Sequence, residues 1–410
     1  MSGLWWVWEE TNLKIAIAGG GVIGLSIAAE ISTRYPQESV TVFAGLRPGA
    51  TDAAGAMFNV FSEIDRNTLV FLPMFRKLEY AALALELWPD WAAKYGIPAH
   101  FCETLVHAQT DLDQEILNYI GVALKTFGDK FGAIDSGIAI LQEGYVQPTR
   151  LKAALINAIH RNQNCIVRST DFMRQQDDKS YDVVIWANGA YASMYFDFKV
   201  RTFYGNGLGM IFPGRFPPNI VRTPVRFNSC GINVLPYGAD ETYVGASNYI
   251  SANSHVPKDV IRETCKYLAE QAEALTGARF ISKGYRTVLG PRPMTEDGQP
   301  LVGWMDDRNF IVTGTRRDGL TISPRLAPDV ADCVVKYKTF SNPIYDDWRP
   351  NRDPLRWLPK DIAVIQTTQS LIERAKLHNQ DINLIDNEVL KKYNSNHIEY
   401  GVLPEYYEFI

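Results

Sequence analysis

The stretch from Leu13 to Gly45 constrains the fold more than any other part of this 410-residue chain. An apolar run, Ile15–Ala18, leads directly into GGGVIG at residues 19–24, a helical pattern of apolar residues follows, and Val40–Phe43 predicts a second short strand. Strand, glycine turn, helix and strand in this order are typical of the opening unit of a dinucleotide-binding fold. In such a unit the ligand's pyrophosphate lies at the positive N-terminus of the helix.

The glycines of this turn have separate predicted roles. Gly19 permits the tight turn, Gly21 lets the backbone approach a pyrophosphate, and Gly24 lets the helix pack closely on the strand. Val22 and Ile23 stand between them at the start of the helix. We therefore expect all five residues to belong to a dinucleotide site.

Composition argues against several other classes of protein. The chain has 41 Lys plus Arg against 46 Asp plus Glu, a formal net charge of -5, and this mildly acidic balance argues against nucleic acid as the main partner. Five dispersed cysteines without a CxxC pair predict neither disulfides nor a metal site, and they indicate a reducing, cytoplasmic location. No apolar run is long enough to span a bilayer, and the N-terminus has no basic region typical of a secretory signal.

The middle of the chain predicts a doubly wound sheet together with a second, antiparallel sheet. Strands are expected at Cys165–Arg168 and within Tyr181–Ala190, a buried strand that ends in a small turn. Residues 200–275 are instead short β-prone segments separated by Gly, Pro and Asn, and they end in an amphipathic helix. Residues 62–132 are expected to be helical and irregular.

Local signals predict two later helices. Ser323 and Pro324 match the N-cap and the first position of a helix that would run to about Phe340. The tail, residues 341–410, opens with a Pro- and Trp-rich coil and has a helical pattern at about residues 360–378. This extension is long enough to cover the rest of the protein or to form a homo-oligomer contact.

Six segments, in order, resemble the FAD-dependent family of D-amino-acid oxidase, glycine oxidase and sarcosine oxidase. They are GGGVIGLS at 19–26, TDAAGAM at 51–57, GYVQP at 144–148, ANGAYA at 187–192, GPRPMTEDGQP at 290–300 and RDGLTISP at 317–324. The fifth closely resembles the G-x-R-P-x-T-x-D-G-x-P run of the glycine-oxidase branch. Their order over roughly residues 13–340 makes the resemblance far more specific than any single motif.

The resemblance implies an α/β chain, α+β overall, in which a Rossmann-like FAD-binding domain is interleaved with a substrate domain built on an antiparallel sheet. The FAD-binding domain would comprise residues 1–60, 141–199 and 281–340, the substrate domain 61–140 and 200–280, and a C-terminal extension 341–410.

The resemblance also implies an extended, non-covalent FAD, since no cysteine lies near residues 290–298. Arg292 would anchor a substrate carboxylate, because a guanidinium pairs bidentately with a carboxylate and stays charged; an interdomain salt bridge is the alternative. Arg317 is a second candidate anchor. Amides around Asp318–Thr321 would stabilise negative charge at the flavin's pyrimidine end. Beyond the first turn, the expected cofactor-binding residues are Thr51, Ala53, Ala54, Gly55, Met57, Ala187, Gly189, Arg292, Asp318, Gly319, Leu320 and Thr321.

Three positions depart from the family pattern. The acidic residue that often holds the adenosine ribose is absent just beyond Phe43. Asn233 stands where an active-site tyrosine normally precedes a strand-end proline by three residues, so Tyr237 or Tyr204 could compensate. Thr315 replaces the histidine of the closing flavin loop. These changes indicate an unusual substrate or a modified reaction, with Arg292, Asn233, Tyr237 and Arg317 as the expected catalytic residues.

Together these observations predict an FAD-dependent oxidoreductase that oxidises a C–N bond of an amino acid or related carboxylate-bearing amine. Hydride would pass to flavin N5, with O2 as the acceptor and H2O2 as a product. Two alternatives stay open. A flavin-dependent monooxygenase shares the first βαβ unit, although the late Gly-Asp turn usual in that class is not found. A catalytically altered flavin-binding partner subunit is suggested by Asn233 and Thr315. The missing acidic residue after Phe43 disfavours an NAD-dependent dehydrogenase.

Overall fold

A computed structural model describes residues 12–65, 68–128, 131–134, 137–172, 178–225, 230–251, 253–280 and 284–355. The helix expected at about residues 360–378 lies outside these ranges. So does most of the C-terminal extension, in which we expect the oligomer contact.

The described part of the chain alternates helices and strands. In chain order the elements are β1 (Lys14–Ala18), α1 (Val22–Arg34), β2 (Ser39–Phe43), α2 (Ala50–Ala53), α3 (Leu72–Tyr95), β3 (His100–His107), α4 (Asp111–Phe127), β4 (Phe131–Ile134), β5 (Gly137–Tyr145), α5 (Pro148–Ile159), β6 (Cys165–Arg168), β7 (Val183–Trp186), β8 (Thr202–Pro213), β9 (Ile220–Arg222), β10 (Asn233–Tyr237), β11 (Glu241–Gly245), β12 (Tyr249–Ser251), α6 (Lys258–Thr276), β13 (Arg286–Thr295), β14 (Leu301–Trp304), β15 (Asn309–Thr313), α7 (Gly319–Val335) and α8 (Ile344–Asp347). Short 3-10 turns cover Phe61–Glu63, Asp178–Ser180 and Gly189–Met194.

The first sheet has the strand order β14-β15-β7-β1-β2-β6. Its strands run parallel from β15 to β6, and β14 pairs antiparallel with β15 at the edge. One face packs on α1, α5 and α7, and the other packs on aromatic residues around the 3-10 turn that follows β7. Because both faces are covered, the central strands are mostly apolar, and β7 is VVIW with every residue buried. The carboxyl ends of β1, β2 and β7 therefore meet at one edge.

The second sheet has the order β12-β8-β11-β10-β9-β3-β5-β4, and β13 also pairs with β8. Its pairs are antiparallel except for β3 with β9. The fold is thus mixed α/β, with one parallel-dominant and one mostly antiparallel sheet.

Two features of this sheet differ from the expectation. Strand β3 lies within the region expected to be helical and irregular, and it is held by pairing with β5 and with the distant β9. Strand β13 lies within the segment 281–340 assigned to the FAD-binding domain, yet it is hydrogen-bonded into the second sheet along its whole length. The domain boundaries themselves stay a prediction.

The start of helix α7 was placed too late by the local signals. The helix begins at Gly319, and Pro324 and Pro328 lie inside it. Ser323 is not an N-cap, because its Oγ donates a hydrogen bond to Gly319 O at 2.6 Å within the helix. Tertiary packing overrides the proline signal: residues 319–324 are all buried, and Trp88 Nε1 of α3 donates to Thr321 O at 3.1 Å.

Candidate functional site

A large cavity runs from the glycine turn after β1 to the face of the second sheet. Of the residues expected to bind the cofactor, its wall includes Gly19, Gly21, Val22, Ile23, Thr51, Ala54, Gly55, Met57, Ala187, Gly189, Arg292, Asp318, Gly319, Leu320 and Thr321. Gly24 and Ala53 are not part of the wall. Of the expected catalytic residues, Arg292, Arg317 and Asn233 line the cavity and Tyr237 does not.

The glycine turn is determined by close backbone approach. Gly19 has φ of 132°, and a Cβ there would lie 2.2 Å from Ala187 O. A Cβ on Gly24 would lie 2.0 Å from Gly19 O, so this glycine packs the helix on the strand. A Cβ on Gly21 would meet only Thr51 Oγ1, at 3.3 Å. With no acidic residue in its first turn, the N-terminus of α1 suits an anion.

An acidic side chain does lie near the end of β2, although it comes from a different part of the chain. The residues that follow Phe43 and line the cavity there are Ala44, Gly45 and Arg47, and none of them is acidic. Asp171, a few residues beyond β6, also lines the cavity, and its Oδ1 would be 2.9 Å from a Cβ on Gly45. Sequence reasoning missed Asp171, because only the pairing of β6 with β2 brings it to this edge.

Helix α7 presents its first turn to the cavity. Gly319, Leu320 and Thr321 line the wall, and their N–H groups have no partner within the helix. The carboxylate of Asp318, which would oppose an anion at this position, is paired with Lys77 of α3, whose Nζ lies 2.6 Å from Asp318 Oδ2. Lys77 Nζ also donates to Gly298 O at 3.1 Å. Lys77 therefore fixes the loop that precedes α7 and neutralises the charge of Asp318.

Arg292 extends from β13 over strand β8. Its Nη1 donates to Ser247 O at 2.7 Å and to Asn248 Oδ1 at 3.2 Å. The guanidinium lies directly on Gly207, where an added Cβ would come within 2.3 Å of Arg292 Cζ. No carboxylate in the described ranges lies within 4 Å of this guanidinium, so the alternative role for Arg292, an interdomain salt bridge, is not seen there.

Tyr243 is a tyrosine of the wall on the second sheet that sequence reasoning missed; Tyr191 and Tyr195 also line the cavity. The Tyr243 hydroxyl donates to Ala53 O at 3.2 Å, and burial raises the pKa of this phenol well above its ordinary value. Tyr237 lies behind it, with ring centroids 6.0 Å apart. Asn233 lines the cavity, with Nδ2 donating to Gly231 O at 3.0 Å. Tyr204 is buried but is not part of the wall.

The glycines of strand β8 are a sequence signal for bulky side chains on this face of the second sheet. Gly205, Gly207 and Gly209 alternate along β8 and so share one face. Each lies under a large side chain: Met294, Arg292 and Tyr243 respectively. Three alternating glycines in one strand therefore indicate a face on which bulky groups lie close to the backbone.

A charged cluster lies at the cavity wall around Glu63 and Arg317. Glu63 Oε1 lies 2.8 Å from Arg222 Nη1, and Glu63 Oε2 lies 3.3 Å from Arg317 Nε. Arg222 is fully buried, and its Nη1 also donates to Ser62 Oγ, which donates to Glu143. Burial raises the pKa of Glu143, although backbone N–H groups and Arg222 oppose this. For Glu63, burial would raise the pKa, but Arg317 and Arg222 lower it from 4.5 to about 2.

We predict that Glu63→Gln removes a pH-dependent part of the stability. Because the pKa of Glu63 is lower in the folded state, the ionised carboxylate stabilises the fold above about pH 4.5. This contribution, about 3 kcal/mol at neutral pH by linkage, is lost as the pH falls towards 2. The variant should be less stable at pH 7 and should lose less stability between pH 4.5 and 2, as measured by urea unfolding at a series of pH values.

The matched control is Glu270→Gln on α6, where the carboxylate is 47% exposed and its ion pair with Lys266 is long, at 4.0 Å. It should change stability by less than about 0.5 kcal/mol at any pH. A Glu63→Gln protein with wild-type stability and an unchanged pH profile would contradict the assignment.

The second half of the GPRPMTEDGQP run has a structural role. Arg352 Nη2 donates to Asp297 Oδ1 at 3.0 Å, and Trp348 Nε1 donates to Gln299 Oε1 at 3.1 Å. Arg201 Nε donates to Glu296 Oε2 at 2.8 Å. The beginning of the C-terminal extension is therefore bound to this run, while Arg292 from its first half faces the cavity.

Neither a metal centre nor a membrane-spanning helix is found among the described residues. Across the described ranges, no three His, Cys, Asp or Glu side chains converge as metal ligands would. Among the helices whose residues are described, none has both the length and the apolar character that a bilayer crossing requires.

Comparisons with known proteins agree with this geometry. Residues 14–333 match the family described as "FAD dependent oxidoreductase" (DAO). The glycine oxidase of Geobacillus kaustophilus is 25% identical over 361 residues, which cover 79% of this chain and 93% of that protein. The structure of glycine oxidase from Bacillus cereus shares the fold with a TM-score of 0.66 at 18% identity, covering 84% of this chain and all of that one. The FAD-bound L-α-glycerophosphate oxidase of Mycoplasma pneumoniae, at 18% identity, has a TM-score of 0.62 over 84% of this chain and 99% of that one. Since the family match spans most of the chain and both sheets have the matching fold, this protein belongs to the DAO family of FAD-dependent oxidoreductases.

Proposed function

We propose that this protein is an FAD-dependent oxidase of an amino acid, or of a related amine that bears a carboxylate, with O2 as the electron acceptor. The observation that carries the proposal is Arg292. Its guanidinium lines the same cavity as the α7 first turn, and no described carboxylate lies within 4 Å of it. A fixed positive charge of this kind in a cavity wall suits a ligand carboxylate.

The residues of the cavity fit FAD. The N-terminus of α1 would hold the pyrophosphate, and Asp171 would reach the adenosine ribose. Within the described residues, the buried Asn188 Oδ1 beside Gly189 has no hydrogen-bond partner, which a ligand hydroxyl or amide could supply. When bound, FAD would accept the hydride from the C–H bond next to the substrate nitrogen and return the electrons to O2, giving H2O2. The α7 first turn would favour negative charge at the flavin ring.

The chain's own residues would orient the substrate. Arg292, fixed by Ser247 and Asn248, would hold the carboxylate and so set the position of the adjacent carbon. Tyr243 would stay a neutral phenol at pH 7, because burial raises its pKa and its proton is donated to Ala53 O. It therefore shapes the wall and does not act as a base. The amide of Asn233 is the wall's candidate partner for the substrate amine.

The proposal predicts a yellow protein whose flavin is reduced by a carboxylate-bearing amine. Purified protein should release FAD on heating, which liquid chromatography identifies. Under anaerobic conditions, a screen of D- and L-amino acids, N-methyl amino acids and simple amines should bleach the flavin for at least one carboxylate-bearing member. Air should restore the colour and produce peroxide.

Controls separate this proposal from its alternatives. The same amines without their carboxylate should fail to reduce the flavin. A requirement for NADPH with oxygen incorporation would favour a monooxygenase. A flavoprotein that no substrate reduces would favour a partner subunit, and a colourless protein that cannot be reconstituted with FAD would contradict all three.

A further inference from the structure

A second arginine faces the cavity apart from Arg292. Arg317 lines the wall with 16% of its side chain exposed. Its Nε lies 3.3 Å from Glu63 Oε2, and its other contact is the sulfur of Cys230. No other carboxylate in the described ranges lies within 4 Å of Arg317.

Glu63 does not fully neutralise this end of the cavity. It is shared between Arg317 and the fully buried Arg222, whose Nη1 lies closer, at 2.8 Å. Arg316 lines the same wall and adds positive charge. Burial, followed by the neighbouring charge of Arg317, lowers the pKa of Arg316 to about 10, although the charges of Asp318 and Asp65 oppose this. An anion bound between Arg316 and Arg317 would reduce the repulsion between their charges.

The two guanidinium groups are held by separate partners. Arg292 is fixed by Ser247 and Asn248 on the second sheet, whereas Arg317 is fixed by Glu63 and Cys230. The loop that carries Arg317 is joined to the Arg292 strand by the hydrogen bond from Arg316 N to Pro293 O, at 2.8 Å. The two guanidinium groups therefore have different direct partners and face one cavity, so each has the chemistry to bind an anionic group of its own.

We propose that the substrate carries two anionic groups, one held by Arg292 and the other by Arg317, so that dicarboxylic amino acids or imino acids are the substrate class. This inference rests on the proposed function, because it assumes that Arg292 binds a substrate carboxylate. Arg317 is then the residue that determines specificity for the second carboxylate.

The test uses the flavin-containing protein and carboxylates that cannot be oxidised. Butyrate and succinate have the same number of carbons and differ by one carboxylate; propionate with malonate and valerate with glutarate extend the series. Binding is measured by perturbation of the flavin absorbance, and by calorimetry where the spectrum does not change. At least one dicarboxylate should bind about 10-fold tighter than its monocarboxylate.

Variants separate this inference from the proposed function. In Arg317→Met the ratio of the monocarboxylate to the dicarboxylate dissociation constant should fall to about one. Arg317→Lys should retain part of this preference, since lysine keeps the positive charge but lacks the planar guanidinium. Arg292→Met should weaken the binding of both the monocarboxylate and the dicarboxylate of each pair. The control is Arg286→Met on the strand that carries Arg292, where the side chain is 53% exposed and paired with Glu241. It should change neither the affinity for carboxylates nor the preference for dicarboxylates.

Equal binding of mono- and dicarboxylates by the wild-type protein, with Arg292 still required, would overturn the second anion position and leave the proposed function standing. Carboxylate binding that does not depend on Arg292 would remove the proposed function. If Arg317→Met loses its flavin, the Arg317→Lys protein and the wild-type series decide the question, because a wild-type ratio near one is already a contradiction.

Discussion

Replacing Arg292 with methionine should weaken the binding of a carboxylate-bearing substrate by about 100-fold, the size expected when a bidentate charge-assisted contact is lost. Methionine keeps an unbranched apolar stem but removes the guanidinium that lies on Gly207. The loss should be seen in kcat/KM for the substrate found in the anaerobic screen, and equally in the dissociation constant of an unreactive carboxylate.

Two further variants make this result specific to the guanidinium. Arg292→Lys should recover only part of the affinity, because an ammonium cannot form the planar bidentate contact. Arg286→Met is the matched control, since Arg286 stands six residues earlier on the same strand and pairs with Glu241 at 3.1 Å at the surface. Unchanged carboxylate affinity in an Arg292→Met protein with full flavin content would exclude this residue as the anchor.

Substituting Gly24 with alanine should destabilise the protein by about 3 kcal/mol or more and prevent retention of FAD. The new Cβ would lie 2.0 Å from Gly19 O, and this neighbour is backbone that cannot rotate away. To make room, α1 would have to move off β1, which would also displace the helix N-terminus that faces the ligand. Thermal unfolding of the apoprotein and the FAD content after gel filtration measure the two effects.

Gly121→Ala is the control for this substitution. Gly121 lies inside α4, and its Cβ would meet only Ile138 Cδ1, at an ordinary 3.8 Å. Alanine is favoured over glycine in a helix interior by about 0.5–1 kcal/mol, so this variant should be slightly more stable. A Gly24→Ala protein that unfolds at the wild-type temperature and keeps its FAD would contradict the predicted packing.

The parts of the fold that could be predicted from the sequence are those determined by residues close together in the chain. The turn at residues 19–24 and strands β1, β2 and β7 follow from contiguous apolar runs and glycines, because a strand and its turn are local. The family resemblance gave the two-sheet fold, which the comparisons confirm. Most expected cofactor residues line one cavity, although how a cofactor sits there remains a prediction.

The rest of the site depends on contacts between distant segments. Asp171 reaches the end of β2 only through the β2–β6 pairing, and Glu63 acquires its partner Arg222 from a strand about 160 residues later. Tyr243 enters the wall because glycines on two other segments leave room for its ring. The proline signal for α7 was wrong for the same kind of reason, since burial of residues 319–324 outweighs the lost backbone donor.

Gly207 and Arg292 lie so close together that a substitution at position 207 would also affect the arginine. With 2.3 Å between an added Cβ and the guanidinium carbon, any side chain larger than hydrogen at position 207 would displace the arginine. The guanidinium atoms are the far end of a flexible side chain, so the arginine could turn aside, but its guanidinium would then leave the position in which Ser247 and Asn248 hold it. A descendant of this chain that replaced the glycine would therefore have to position its carboxylate anchor anew. The placement of the anchor thus depends on a residue that has no side chain.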